Sequence, residues 1–243
     1  ATGTASGKSL AYQLPALSRL AEDPRACVLY LAPTKALARD QLAAVAELAD
    51  PSVRPAAYDG DTPGEERDWV RRHSRWIVTN PDMLHRGILP AHQKWSSTLR
   101  RVAYVLIDEC HAYRGVFGSH VALLIRRLRR VARRYGADPV FVLASATVGD
   151  PGGHATRLVG DDVLAVTHDG SPRGAMTFAL WQPPEDDEGS RRSPTTEAAD
   201  LMAHLVGRDV QTLAFARSRA GVEALASSAA RQVSITDEGR IAA

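Results

Sequence analysis

The chain has 243 residues, 44% hydrophobic and 24% charged, with a formal net charge of +2 and a pI near 8.7. This is the balance of an ordinary soluble globular protein, and no apolar run approaches the ~20 residues needed to cross a bilayer, so no membrane partner is expected. Two cysteines, Cys27 and Cys110, make neither a disulfide framework nor a zinc set, which points to reduced thiols in a cytoplasmic protein.

At the amino end, Ala1-Thr2-Gly3-Thr4-Ala5-Ser6-Gly7-Lys8-Ser9 runs into a helical pattern. Small residues let backbone amides curl around phosphate oxygens, a lysine reaches the terminal phosphates, and a hydroxyl takes magnesium. The following helix aims its positive end at the same phosphates. Thr4, Ala5, Ser6, Gly7, Lys8 and Ser9 are therefore candidate ATP-binding residues, Ser9 also a Mg2+ ligand. The strict pattern fails at Thr2, where glycine is expected, and a plain Gly-Ser loop before a helix is the alternative.

Short β-rich runs then alternate with amphipathic helical patterns, the signature of an α/β fold with a parallel sheet. Strands are expected at Cys27–Leu31, Trp76–Thr79, 102–108 and 140–144, with weaker ones at 54–58 and 163–167. After the first strand, Pro33, Thr34 and Lys35 open a loop. After the Trp76–Thr79 strand, Asn80 and Pro81 give a cap-plus-proline helix start. Hydroxyls, amides and a lysine at such places bind phosphate without reading sequence, and a simple capped helix is an equal reading. Thr62-Pro63-Gly64-Glu65 reads as a capping box behind the Asp59-Gly60-Asp61 turn.

The strand at 102–108 ends in Asp108-Glu109-Cys110-His111. Two carboxylates closing an apolar strand are costly unless they have work to do. Asp108 can hold Mg2+ through water, Glu109 can orient or deprotonate an attacking water, and His111 can pass a signal to neighbouring loops. A solvated loop start is the alternative for the pair alone. A helix at 119–135 follows, with Val121, Leu124, Ile125, Leu128, Val131 and Ala132 on one stripe and its arginines opposite. A solvated outer face is preferred there to a nucleic-acid patch. Ser145-Ala146-Thr147 closes the next strand, at the edge where open sheets bind ligands.

Composition changes near residue 169. The first domain is therefore 1–168, and 169–243 is the incomplete start of a second, with strands at 176–181 and 210–216, a polar loop between 183 and 194, and helices at 195–206 and from 219. Taken in order, ATGTASGKS, APTKAL, TNPDML, DECH, SAT and LAFARSR resemble the motifs of superfamily 2 helicases of the DEAD/DEAH-box type. DECH with YDGDTP and AYRGVFGSH resembles most closely the mitomycin-repair-type helicases and their RecQ4-like relatives, which act in DNA repair.

The resemblance implies RecA-like domains, ATP and Mg2+ as cofactors, and DNA as partner for a monomeric enzyme. RNA, or a role as a non-catalytic nucleotide-binding remnant, is the alternative. It implies that Lys8 and Ser9 bind nucleotide and metal, that Asp108, Glu109 and His111 serve hydrolysis, and that Ser145 and Thr147 couple it to movement. Pro33, Thr34, Lys35, Asn80, Pro81 and, from the LAFARSR segment, Arg217 would lie along the nucleic acid. The strand leading into the phosphate loop and the arginine finger of the later motifs are not in the sequence. Each backbone group that strand would pair is worth ~1–3 kcal/mol against a total stability of ~5–15, so the chain alone is expected to be poorly soluble and inactive.

Overall fold

Strand β1, Cys27–Leu31, is buried along its whole length, and the reason is its position. It pairs in parallel with β3, Trp76–Thr79, on one side and with β4, Val102–Ile107, on the other. The short β2, Ala56–Ala57, extends the sheet beyond β3, and β5, Val140–Leu143, extends it beyond β4, giving the order β2-β3-β1-β4-β5. A strand enclosed on both faces and both edges needs a continuous apolar run rather than alternation, and CVLYL supplies it. The computed structural model describes residues 7–146, 148–168, 170, 174–183, 185, 189–233 and 241.

Helices cover both faces. On one side α1, Lys8–Glu22, and α2, Lys35–Leu48, pack Tyr12, Ala16, Leu20 and Val45 against Val28, Tyr30, Val78 and Leu106. On the other, α3, Gly64–His73, contributes Val70, and α6, Gly115–Arg134, contributes Val121, Leu124, Ile125 and Leu128 against Leu29, Ile77 and Val105. Two short helices, α4 (Pro81–Met83) and α5 (Ser96–Leu99), link β3 to β4. Helix α6 spans Gly115–Arg134 and α7 spans Pro151–Val159. The expected apolar stripe of α6 is buried except for the partly covered Val131. Its arginines form a largely exposed outer face with surface partners. Arg126 donates to the Arg157 carbonyl at 2.8 Å, and Arg129 pairs with Asp161.

Several expected elements differ. β4 and β5 each stop one residue early, at Ile107 and Leu143, although the Asp108 N–H still bonds the Leu31 carbonyl and the Ala144 N–H the Ile107 carbonyl. Residues 163–167 form no strand and join no ladder of the sheet. The capping box does not form: α3 starts at Gly64 without a side-chain cap, and the Thr62 hydroxyl instead accepts the Asp59 N–H at 2.9 Å to close the turn. The Asn80 cap does form, its Oδ1 accepting from Met83 N at 2.8 Å. Both cysteines are buried free thiols.

The chain divides into two units, Ala1–Arg173 and Gly174–Ala243. The second contains α8, Pro194–Val206, capped by Ser193, and α9, Arg219–Ala230, capped by Ser218. These pack through Ala199, Ala203, Leu225 and Ala229. The runs 176–181 and 210–216, read as strands, have no ladder partner among the described residues, and their large side chains stand in solvent.

Candidate nucleotide site and nucleic-acid interface

All five strands are parallel, so their carboxyl ends share one edge of the sheet, and that edge gathers most of the candidate residues. Gly7 caps α1 with φ 73° and ψ 17°, a left-handed conformation that glycine adopts without strain. The first-turn amides of α1 have no intrahelical partners and present a ready anion site. Lys8 Nζ donates to the Ser145 carbonyl at 3.4 Å, so the lysine spans from the phosphate loop to the strand end of β5. Thr4, Ala5, Ser6 and Thr147 lie outside the described residues.

Asp108 is buried, and its backbone N–H donates to the Leu31 carbonyl at 3.1 Å. Its Oδ1 accepts the Glu109 N–H at 2.8 Å. Its Oδ2 accepts the Tyr30 hydroxyl at 2.5 Å and lies 3.0 Å from the Tyr12 hydroxyl. Burial pushes Tyr12 up to about 12 and lifts Tyr30 well above the usual phenol range, so both are neutral donors. Tyr12 also lies 3.0 Å from Gln41 Oε1 on α2 and 3.4 Å from Ser9 Oγ. The sequence reading missed Tyr12, Tyr30 and Gln41. An aromatic residue in a strand or on a helix stripe reads as core, and nothing local marks its hydroxyl.

Glu109 sits in the left-handed region, φ 45° and ψ 42°, a strained setting for a non-glycine residue of the kind concentrated at functional sites. Its buried Oε2 lies 2.9 Å from His111 Nδ1. His111 Nδ1 also lies 3.3 Å from the Ala146 N–H. Cys110 N donates to the Ala144 carbonyl, and the Cys110 carbonyl in turn accepts from His154 Nε2 on α7 at 2.9 Å. His154 is a fourth residue that sequence reasoning missed. Ser145 is buried beside the Cys110 thiol, its Oγ lacking an oxygen or nitrogen partner.

This donor set fits a magnesium ion. Mg2+ takes few protein oxygens and completes its shell with water and substrate phosphates, and no larger metal-ligating cluster exists among the described residues. A carboxylate offers about four lone-pair directions. Three at Asp108 face protein donors, which leaves one on Oδ1 for a bound ion or its water.

The loops after β1 and β3 meet around a separate cleft of about 430 Å3, lined by Pro33, Thr34, Lys35, Asn80 and Pro81 together with Arg86 and Phe117. Thr34 caps α2 by accepting the Leu37 N–H, and Lys35 bonds Asp61 at 2.6 Å, an exposed pair that holds Asp61 below its ordinary value. Arg217 belongs to the second unit, exposed in the bend that leads to Ser218.

The chain is 46% identical over 231 residues to the uncharacterized ATP-dependent helicase YprA of Bacillus subtilis, covering 93% of this chain and 31% of that protein. It is 41% identical over 234 residues to the ATP-dependent helicase HRQ1 of Saccharomyces cerevisiae, covering 92% and 22%. The crystal structure of the DUF1998 helicase MrfA bound to DNA and AMPPNP matches with a TM-score of 0.91 at 45% identity, over 96% of this chain and 33% of that one. The chain thus spans about a third or less of the length of these relatives. More distant helicase domains share the RecA-like fold alone. The model of the DEAD/DEAH box helicase family matches residues 1–152, and with these relatives it establishes that the chain belongs to that family.

Proposed function

We propose that this chain supplies the nucleotide-hydrolysing lobe of an ATP-dependent DNA helicase, coupling ATP hydrolysis to movement along a DNA strand in DNA repair. The observation that carries the reading is the meeting of three groups at one sheet edge: the glycine–lysine–serine start of α1, the Asp108–Glu109 turn, and the Ser145 strand end that Lys8 touches. Lys8 and Ser9 bind the nucleotide with the loop residues Thr4, Ala5, Ser6 and Gly7. Magnesium, when bound, neutralises charge on the phosphate oxygens. Asp108 and Ser9 hold it, and Glu109, whose Oε2 stands 2.9 Å from His111 Nδ1, orients the attacking water.

His111, Ser145 and Thr147 relay the state of this site through Ala146 to the sheet edge. Pro33, Thr34, Lys35, Asn80 and Pro81 follow the DNA backbone through helix amino ends and side-chain donors, and Arg217 adds a contact from the start of a second RecA-like domain. DNA is favoured over RNA because MrfA, the similar protein, is bound to DNA with a nucleotide analogue. Action as a monomer in the cytoplasm belongs to the same proposal and rests on the resemblance of the motifs.

The test is Lys8→Ala in the intact protein. The expected result is loss of DNA-stimulated ATPase by at least a hundredfold, with DNA binding in the absence of nucleotide retained. Stimulation by RNA in place of DNA would move the assignment to an RNA helicase, and turnover retained in the variant would remove this loop from the site.

A further inference from the structure

We propose that Tyr12 and Tyr30 are positioning residues for magnesium, two phenols that clamp Asp108 so that one lone pair of Oδ1 is left to the metal. The inference rests on the nucleotide-site reading above and adds residues that no helicase motif of the sequence supplied. Three observations carry it. Tyr30 projects from the centre of the sheet, fully buried, with its hydroxyl 2.5 Å from Asp108 Oδ2. Tyr12, one turn into α1, brings a second hydroxyl to the same oxygen at 3.0 Å and stands 3.4 Å from Ser9 Oγ, so it touches both protein groups proposed to hold the metal. The two hydroxyls are 3.3 Å apart.

The consequence follows from lone-pair geometry. With Oδ2 occupied by two donors and one side of Oδ1 by the Glu109 N–H, the carboxylate has a single orientation and a single free acceptor direction. A carboxylate already fixed in that way loses little freedom when it binds an ion, which is the function of groups surrounding a metal ligand. Without the phenols a buried Asp108 turns toward the remaining donors or admits water, and its free lone pair is no longer aimed. The arrangement differs from a packing role for the rings, because a phenylalanine fills the same space and lacks only the hydroxyl.

The test is the Mg2+ dependence of binding of a fluorescent non-hydrolysable ATP analogue to the intact protein, compared for wild type, Tyr30→Phe and Tyr12→Phe. The half-saturating Mg2+ concentration is expected to rise about tenfold for Tyr30→Phe, in line with the loss of an oriented second-shell partner. For Tyr12→Phe, whose proton is shared with Gln41, the expected rise is smaller. Binding of the analogue in EDTA is expected to be equal in all three proteins, which shows that the variants are folded. A half-saturation unchanged or lowered in Tyr30→Phe, with EDTA binding intact, overturns the clamp and leaves the nucleotide site standing. Failure of the wild type to bind the analogue at all overturns the nucleotide site itself.

Discussion

Strand β1 and the run 176–181 are made of the same kinds of residue, CVLYL in one and MTFALW in the other, and they meet opposite fates. In β1 no side chain is more than 1% exposed, whereas Met176, Phe178 and Leu180 are 90%, 84% and 89% exposed. The difference lies in the neighbours. β1 has β3 on one edge, β4 on the other and helices above and below, while 176–181 has no hydrogen-bonded strand among the described residues. A β-rich sequence expresses a preference for a pleated, half-buried surface, and that surface is made by other strands. The run 163–167 falls between these cases. Its residues Val163, Leu164, Ala165 and Val166, together with 141–145 of β5 and its end, Gly7 and Lys8, line a cleft of about 590 Å3 at the open edge of the sheet.

The comparison gives the largest expected effect to the centre of the sheet. Leu29→Ala removes a fully buried side chain enclosed by Ile77, Val105 and α6, and is expected to cost about 2–5 kcal/mol, measured as a shift in the denaturant midpoint. A cost under about 1 kcal/mol would mean that the core around β1 collapses readily into the space, and the contrast with 176–181 would lose its basis.

An intermediate effect is expected at His154. Its Nε2 donates to the Cys110 carbonyl and so ties α7 to the Asp108–His111 turn. His154→Ala removes one hydrogen bond worth about 1 kcal/mol of stability. The activity effect should exceed that, because the turn that presents Glu109 is itself strained. DNA-stimulated turnover should fall severalfold with little change in nucleotide affinity, and His154→Gln should recover part of it. Equal loss in both variants would make the imidazole a packing element only.

The same division explains what could be read in advance. The parallel sheet and the strand that ends at Asp108–Glu109 were legible because each is local: an apolar run with its ending. The Asn80 cap was legible for the same reason. Tyr12, Tyr30, Gln41 and His154 were not, since each acts through an atom brought near by the sheet order, with Tyr30 and Asp108 meeting only because β1 and β4 are adjacent. The Thr62 capping box failed because the Asp59 turn competed for the same hydroxyl. The unpaired runs failed for a third reason: alternation and β propensity cannot say whether a partner strand is at hand.

The smallest expected effect is the sharpest test of that last reason. Phe178→Ser in this chain should change stability by less than about 0.5 kcal/mol, as exposed substitutions do, because the ring is surrounded by solvent. It should raise the soluble yield, since Met176, Phe178, Leu180 and Trp181 present closely spaced apolar side chains of the kind that drive association. In a protein of the relatives' length the same substitution becomes informative in the other direction. If partner strands there enclose the run as β3 and β4 enclose β1, the cost should climb toward the value for Leu29→Ala. A cost that stays near zero in both settings would show that 176–181 is a surface segment in its own right, and the strand reading of its sequence would then be wrong for a local reason rather than for want of a neighbour.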